Sequence, residues 1–292
     1  MGTSLLAALG RPTWWLLAMA AFLIRGGLLV LVVPIVTLPT AAGLTNVVAP
    51  TVVGLVFGGT DSLMNLIVGA VVVVLVWLVG GAVIAAAIDV ALVDEVARDD
   101  DLDAPVAARP GLVLRAATLR LAAHVPTLVV LVWAGARIAI ATYEELAAPG
   151  EAAVPMIVRI ALRAPEAVAA LTIAWALGEA AGGLAVRRLV AGSDLRRALR
   201  DGWLGLLLRP TTLATLLLGN AAIVAIAVLS GGVAAVTSSA LRLVIVDGGS
   251  RTELLAALFI FSIAWLAGAW LIAVAVAWRQ AAWTFEALRA RR

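Results

Sequence analysis

Six long apolar runs separated by short polar segments set the pattern of this chain. They fall near residues 13–37, 63–93, 124–142, 166–187, 211–232 and 254–280. An α-helix needs about 20 apolar residues to cross roughly 30 Å of hydrocarbon, so each run predicts a membrane-spanning helix. The second and sixth exceed that length and predict a tilt or an extension past the bilayer. The predicted class is an all-α polytopic integral membrane protein with six transmembrane helices.

Three shorter segments lead into spans in the same way. "LLAALGRPT" ends at Thr13, "LRAATLRLAAHVPT" at Thr127 and "LRRALRDGWLGLLLRPT" at Thr211. Each is a helical stretch with leucines on one side that closes in Pro-Thr. Proline suits the first turn of a helix, where its missing N–H has no partner anyway. Pro12, Pro126 and Pro210 are therefore expected to start the odd-numbered spans. The preceding segments are expected to lie in the inner membrane interface, arginines toward headgroups and leucines toward acyl chains.

Other features recur with them. The even-numbered spans carry Trp77-x-x-Gly80, Trp175-x-x-Gly178 and Trp265-x-x-Gly268. Each tryptophan lies about 12 residues, or roughly 18 Å, from the inner boundary, deeper than an interfacial aromatic belt. The outer segments "VFGGTDSL" and "VDGGSRTEL" each place a Gly-Gly turn before a helix start, whereas the middle unit has "RAPEA". Three elbow-plus-hairpin repeats follow, near 1–98, 109–192 and 193–292, within a single membrane domain. Gly178 and Gly182 form a small-xxx-small pair that allows close helix approach.

Arginine placement orients the chain. With both termini inside, the cytoplasmic set is Arg11, Arg98, Arg109, Arg115, Arg120, Arg187, Arg188, Arg196, Arg197, Arg200, Arg209, Arg279, Arg289, Arg291 and Arg292. The outer set is Arg159, Arg163, Arg242 and Arg251. The positive-inside rule then predicts a multi-pass protein of a bacterial plasma membrane with cytoplasmic termini.

Composition agrees with the pattern. Of 292 residues, 64% are hydrophobic and 13% charged, about half the charged share of a soluble domain. Mean hydropathy is +1.11. The chain has no cysteine, which excludes disulfides, thiolate metal sites and cysteine nucleophiles. Its basic residues are all arginine, as in GC-rich bacterial genomes, and they form no basic face with interleaved aromatics, so nucleic acid is not an expected partner.

The "LRRALRDGWLGLLLRPT" elbow and the repeated hairpins resemble six-span bacterial membrane proteins, among them the membrane domain joined to some glycerophosphodiester phosphodiesterases. The resemblance implies a helical membrane module. No soluble phosphodiesterase domain accompanies it in this sequence.

Catalytic chemistry has little to work with. His124 is the single histidine and has no cysteine or carboxylate beside it to complete a zinc site. "DEVARDDDLD" (Asp94 to Asp103) reads as a solvated acidic loop. It departs from the CDP-alcohol phosphotransferase motif by lacking a glycine after the first Asp. Neither a metal, a cofactor nor an enzymatic activity is expected.

What remains is a set of polar residues within spans. Ionisable groups there are costly and mark function or a specific partner. Arg25, Arg137 and Asn220 lie at similar depth on the three odd-numbered spans, and Glu179 lies on the fourth. These four form the candidate intramembrane cluster, with Arg137 and Glu179 expected to pair across the third and fourth spans. The expected function is a non-enzymatic structural or accessory module that binds the bilayer and another membrane protein or a lipid headgroup. The alternative is a permease that uses the mid-membrane polar residues.

Overall fold

The computed structural model describes residues 2–28, 31, 60–99, 110–148 and 156–289. Residues 29–30 and 32–37 of the expected first span lie outside the described residues. So do the Gly58-Gly59 turn, the acidic segment beyond Asp99, and Arg109, Arg291 and Arg292.

The elements are α1 (Gly2–Leu9), α2 (Pro12–Phe22, continued by a π turn at Leu23–Gly27), α3 (Thr60–Asp99), α4 (Pro110–Ala123) and α5 (Val125–Ala147). They continue with α6 (Met156–Arg163), α7 (Pro165–Val190), α8 (Leu195–Leu208), α9 (Pro210–Val246) and α10 (Arg251–Arg289). No strand occurs among the described residues. Among the described residues, four helices are long and apolar enough to cross a membrane: Val125–Glu145, Pro165–Val190, Pro210–Val246 and Arg251–Leu288. Leu217, Val228, Leu229 and Val236 on α9 are 61–71% exposed, a surface that only lipid or another protein would cover at low cost. The fold is all-α and of the membrane type. α3 runs without a break over 40 residues and covers the expected second span.

The prolines stand where the sequence placed them. Pro12, Pro126 and Pro210 occupy the first turn of α2, α5 and α9. Short helices α1, α4 and α8 precede them. Between α7 and α8 the chain reverses at Gly192, whose φ of 90° suits glycine. The N–H groups of Gly192 and Ser193 bond back to Leu189 and Arg188. Asp194 then caps α8 by accepting from the Arg197 N–H at 2.9 Å.

The last hairpin differs from expectation. Residues 233–246 and 251–253, read as an outer loop, are helical, and the connection shrinks to Asp247–Ser250. Gly231 and Gly232 do not end α9. Ser230, Thr237 and Ser239 point their hydroxyls back to the carbonyls of Ile226, Val233 and Ala235, which satisfies them within the helix. The turn itself uses Gly248 at φ +67°. A reciprocal capping pair starts α10: Ser250 N–H donates to Glu253 at 2.7 Å, and Glu253 N–H to Ser250 Oγ at 3.3 Å.

Two compact units divide the chain, Met1–Val36 with Ala82–Ala123 and Glu179–Arg292, and Thr37–Gly81 with His124–Gly178. In the first, α9 and α10 pack as an antiparallel hairpin with α1 and α2 against α10. Trp14, Ala18, Leu92, Ile272 and Phe285 are among the core residues there. A second core joins α3, α4, α7 and α8 through Ala86, Val90, Ala117, Ala185, Val186 and Ala198. Small residues let these backbones approach. A Cβ added at Gly202 of α8 would stand 2.5 Å from the Ala181 carbonyl of α7. One added at Gly182 would stand 3.3 Å from Ala123 of α4.

In the second unit, Ala134 and Ala141 of α5 pack with Ala164 and Ala167. Thr127 Oγ1 donates to the Ala174 carbonyl at 3.0 Å, and the His124 ring lies 4.9 Å from that of Trp175.

Candidate functional site

Four helices of the first unit bring charges together in its interior. The π turn after α2 carries Arg25, α3 carries Asp89, α4 carries Arg120 and α7 carries Glu179. Arg25 pairs with Asp89 and with Glu179, the latter at 3.3 Å, and also reaches the Ala85 carbonyl at 3.4 Å. Arg120 pairs with Asp89 and with Glu179, the latter at 3.2 Å. Each arginine thus touches both carboxylates in a closed ring of four ion pairs. The side chains of Asp89 and Arg120 are 1% and 4% exposed, those of Arg25 and Glu179 12% and 11%. So much burial is tolerable only because each charge faces opposite partners.

Two more arginines extend the layer. Arg187, two helical turns after Glu179, is fully buried. It donates to Thr284 Oγ1 at 2.9 Å, to the Gly183 carbonyl at 2.7 Å, and to the carbonyl and side-chain oxygens of Gln280 at 2.9 and 2.7 Å. Arg279 hydrogen-bonds Asn220 and lies 5.2 Å from the Trp283 ring centre. Both arginines are within electrostatic reach of the ring. Gly219 and Gly183 make room for these side chains: a Cβ on Gly219 would sit 3.0 Å from Arg279, and one on Gly183 3.2 Å from Trp283.

Of the four residues singled out in the sequence, Arg25 and Glu179 meet in this cluster. Asn220 joins its edge through Arg279. Arg137 goes elsewhere, and the expected Arg137–Glu179 pair is replaced. Arg137 Nη2 reaches Glu166 in the first turn of α7 at 3.1 Å, with side chains 41% and 49% exposed. The reason is twofold. Arg120, expected in the inner interface, is carried into the core because Gly182 lets α4 sit close to α7. Arg137 meanwhile snorkels along α5 to a nearer carboxylate.

The Trp-x-x-Gly residues have different surroundings. Trp265 donates its indole N–H to the Leu31 carbonyl at 3.1 Å. Trp175 faces His124, and Trp77 is 57% exposed. Gly268 lies against Ser230 so closely that a Cβ would collide, whereas a Cβ at Gly80 would meet nothing within 4 Å.

A separate clasp holds the end of α5 in the second unit. Glu145 is 1% exposed and accepts from Arg159 Nε at 2.6 Å and Arg163 Nε at 2.8 Å. Arg163 also donates to the Ala148 carbonyl at 2.9 Å. One carboxylate thereby fixes the amphipathic helix α6 along its length.

Asp89, Arg120, Arg187 and Arg279 escaped the sequence reading. Asp89 falls inside the expected 63–93 span, and Arg187 lies eight residues from Glu179 on the same helix face, so both had a signal. Among the described residues no group of three histidine or acidic side chains is placed to hold a metal ion. Compared with protein-family models, with curated proteins and with solved structures, the chain matches none.

Proposed function

We propose that this protein is a non-enzymatic accessory module of a bacterial plasma membrane that binds a lipid or another membrane protein. The observation that carries this reading is the closed ring of ion pairs. Its charges face each other in a buried layer, where a carrier would present them to a hydrated path. A substrate ion would have to displace partners already matched in charge and geometry. The lipid-like exposure of α9 supports a role exercised at the membrane surface of the protein.

The full architecture belongs to the same proposal: six spans, three elbow-plus-hairpin repeats and cytoplasmic termini. Support comes from the three proline-started helices, each behind a short helix, and from the arginine asymmetry. Kinship with the membrane domain joined to some glycerophosphodiester phosphodiesterases fits this picture. A permease is the second reading, favoured by one observation: Arg25 sits on a π turn, a distortion frequent at functional sites.

Two measurements test these readings. Single cysteines introduced at Ser193 and Ser250 have no background, since the chain contains no cysteine. Ser193→Cys should label only from the inside of cells and Ser250→Cys only from the outside. Purified protein in liposomes should pass neither protons nor small ions above the protein-free rate. Flux abolished by Asp89→Asn would replace the module with a permease.

A further inference from the structure

Among the described residues, α8 is the elbow helix whose arginines face outward as a group. α1 contains no basic residue, and α4 exposes Arg115 but buries Arg120 in the charge ring. On α8, Arg196, Arg197 and Arg200 are all exposed. We propose that the outward face of α8 binds anionic phospholipid, with its arginine end at the phosphate head groups and its leucine end among the acyl chains. This deepens the lipid-binding reading above and rests on it.

Packing fixes the roll of α8. Ala198, Gly202 and Leu206, spaced one turn apart, are buried, and Gly202 lies so close to α7 that a Cβ would collide with the Ala181 carbonyl. What remains outward changes character along the axis rather than around it. At about 100° per residue, positions 11 apart differ by only about 20° in direction. Arg196 and Leu207 therefore share one line on the helix surface, as do Arg197 and Leu208. Leu204, Leu207 and Leu208 are 42%, 68% and 72% exposed. A helix lying flat at an interface separates polar from apolar around its circumference. One that separates them end to end has to incline. Arg196 and Leu207 are about 16 Å apart along the axis, more than a head-group layer of roughly 5–8 Å, so a partial tilt seats both. Leu213 and Leu217, exposed at the start of α9, continue the apolar surface from the deeper end.

Charge decides which lipid. Guanidinium forks match phosphate oxygens in two-point contact. The protein holds these arginines loosely. Arg197 stands 3.9 Å from Asp194, beyond hydrogen-bond distance, and Arg200 pairs with Asp201 at 3.2 Å while its own side chain is 67% exposed. Exposed pairs of this kind contribute little, so exchanging a carboxylate for a lipid phosphate costs little. The two acids sit seven residues apart on one flank, and Asp201 lines a narrow cleft beside Arg188 and Glu286. The outward face is left positive, which favours a net-negative head group over a zwitterionic one. Each arginine near an anionic surface strengthens binding by about fivefold.

The absence of cysteine allows a direct test. The full chain carrying Leu207→Cys is labelled with a bimane fluorophore and reconstituted in vesicles of equal phosphatidylglycerol and phosphatidylcholine. One lipid of the two carries brominated acyl chains, which quench on contact. Quenching should be stronger when phosphatidylglycerol carries the bromine, to an extent that corresponds to a local excess of about fivefold or more. Replacing Arg196, Arg197 and Arg200 together by glutamine should return the ratio to near one. A label at Leu229→Cys, on the exposed face of α9, is the control and should show no preference in either background. The incline is read from a second pair of labels. Brominated chains should quench Leu207→Cys, whereas Arg196→Cys should be quenched by aqueous iodide. Three results each overturn the proposal: equal quenching of the two labels by brominated chains, equal quenching by the two lipids, or a preference unchanged by the triple glutamine variant. Equal quenching by the two lipids would assign the arginines to an acidic segment of a protein partner instead. Ion flux in liposomes bears on the module reading alone, so the two failures remain distinct.

Discussion

Replacing Asp89 by asparagine removes one charge from a ring with few ways to adapt. The carboxylate is 1% exposed and pairs with both Arg25 and Arg120. At an effective dielectric constant of about 20, two charges roughly 4 Å apart attract by about 4 kcal/mol. Two such pairs give a gross attraction of about 8 kcal/mol, from which several kcal/mol for burying the carboxylate must be subtracted. A net loss of about 3–5 kcal/mol is expected, the range for stranding a buried partner. Glu179→Gln should cost less, because its contacts are longer, at 3.3 and 3.2 Å, and its side chain is 11% exposed. The assay is unfolding in mixed micelles by a denaturing detergent, with Arg25→Leu, Asp89→Leu and the double variant completing a cycle. The double should cost less than the sum of the singles by about 0.5–3 kcal/mol. The half-exposed pair of Arg137 and Glu166 is the control, with a cycle below about 1 kcal/mol. Asp89→Asn within about 0.5 kcal/mol of the parent, together with an additive cycle, would refute the reasoning.

Three further outcomes follow from local geometry. Gly202→Leu should destabilise by about 1–3 kcal/mol in the same assay, because the new side chain meets the Ala181 carbonyl, while Gly205→Ala should be neutral or stabilising by up to about 1 kcal/mol. Glu145→Gln should free α6, read as faster thiol labelling of Val158→Cys; an unchanged rate would mean that the arginines do not hold that helix. Asp194 is kept below its ordinary pKa of 3.8 chiefly by the Arg197 backbone N–H. Its contribution is therefore present above that pH and is lost as pH falls through the lower folded value. Asp194→Ala should lower Tm at pH 7, and the gap to the parent should close below about pH 4.

The residues that were legible in the sequence share one property: their surroundings are local. Apolar length predicted the helices, and Pro12, Pro126 and Pro210 marked helix starts because the first turn needs no N–H there. Ser250 and Glu253 marked the start of α10 because their side chains accept from the unpaired N–H groups there. Arg25 and Glu179 were visible as charges within apolar runs. Arg120, Arg187 and Arg279 were not, because counting arginines by side of the membrane treats each one as solvated. Whether an arginine near a helix end meets water or a neighbouring helix depends on Gly182, Gly183 and Gly219, which set how closely helices far apart in sequence approach. The length of the last hairpin was hidden similarly, since Thr237 and Ser239 read as loop residues until their hydroxyls find carbonyls one turn back.

The charge ring and its two flanking arginines also have an electrical consequence, because their signs do not cancel. Arg25 and Arg120 pair with Asp89 and Glu179, while Arg187 and Arg279 bond only neutral partners, which leaves two positive charges in excess among these six. A proton or other cation about 8 Å away would meet roughly 2 kcal/mol of repulsion per uncompensated charge at an effective dielectric constant near 20. Together that is about 4 kcal/mol, or roughly a thousandfold suppression of leak. Arginine serves the same end in water channels that exclude protons. In a bundle that crosses a membrane, such a polar layer would carry the sign that opposes a cation current.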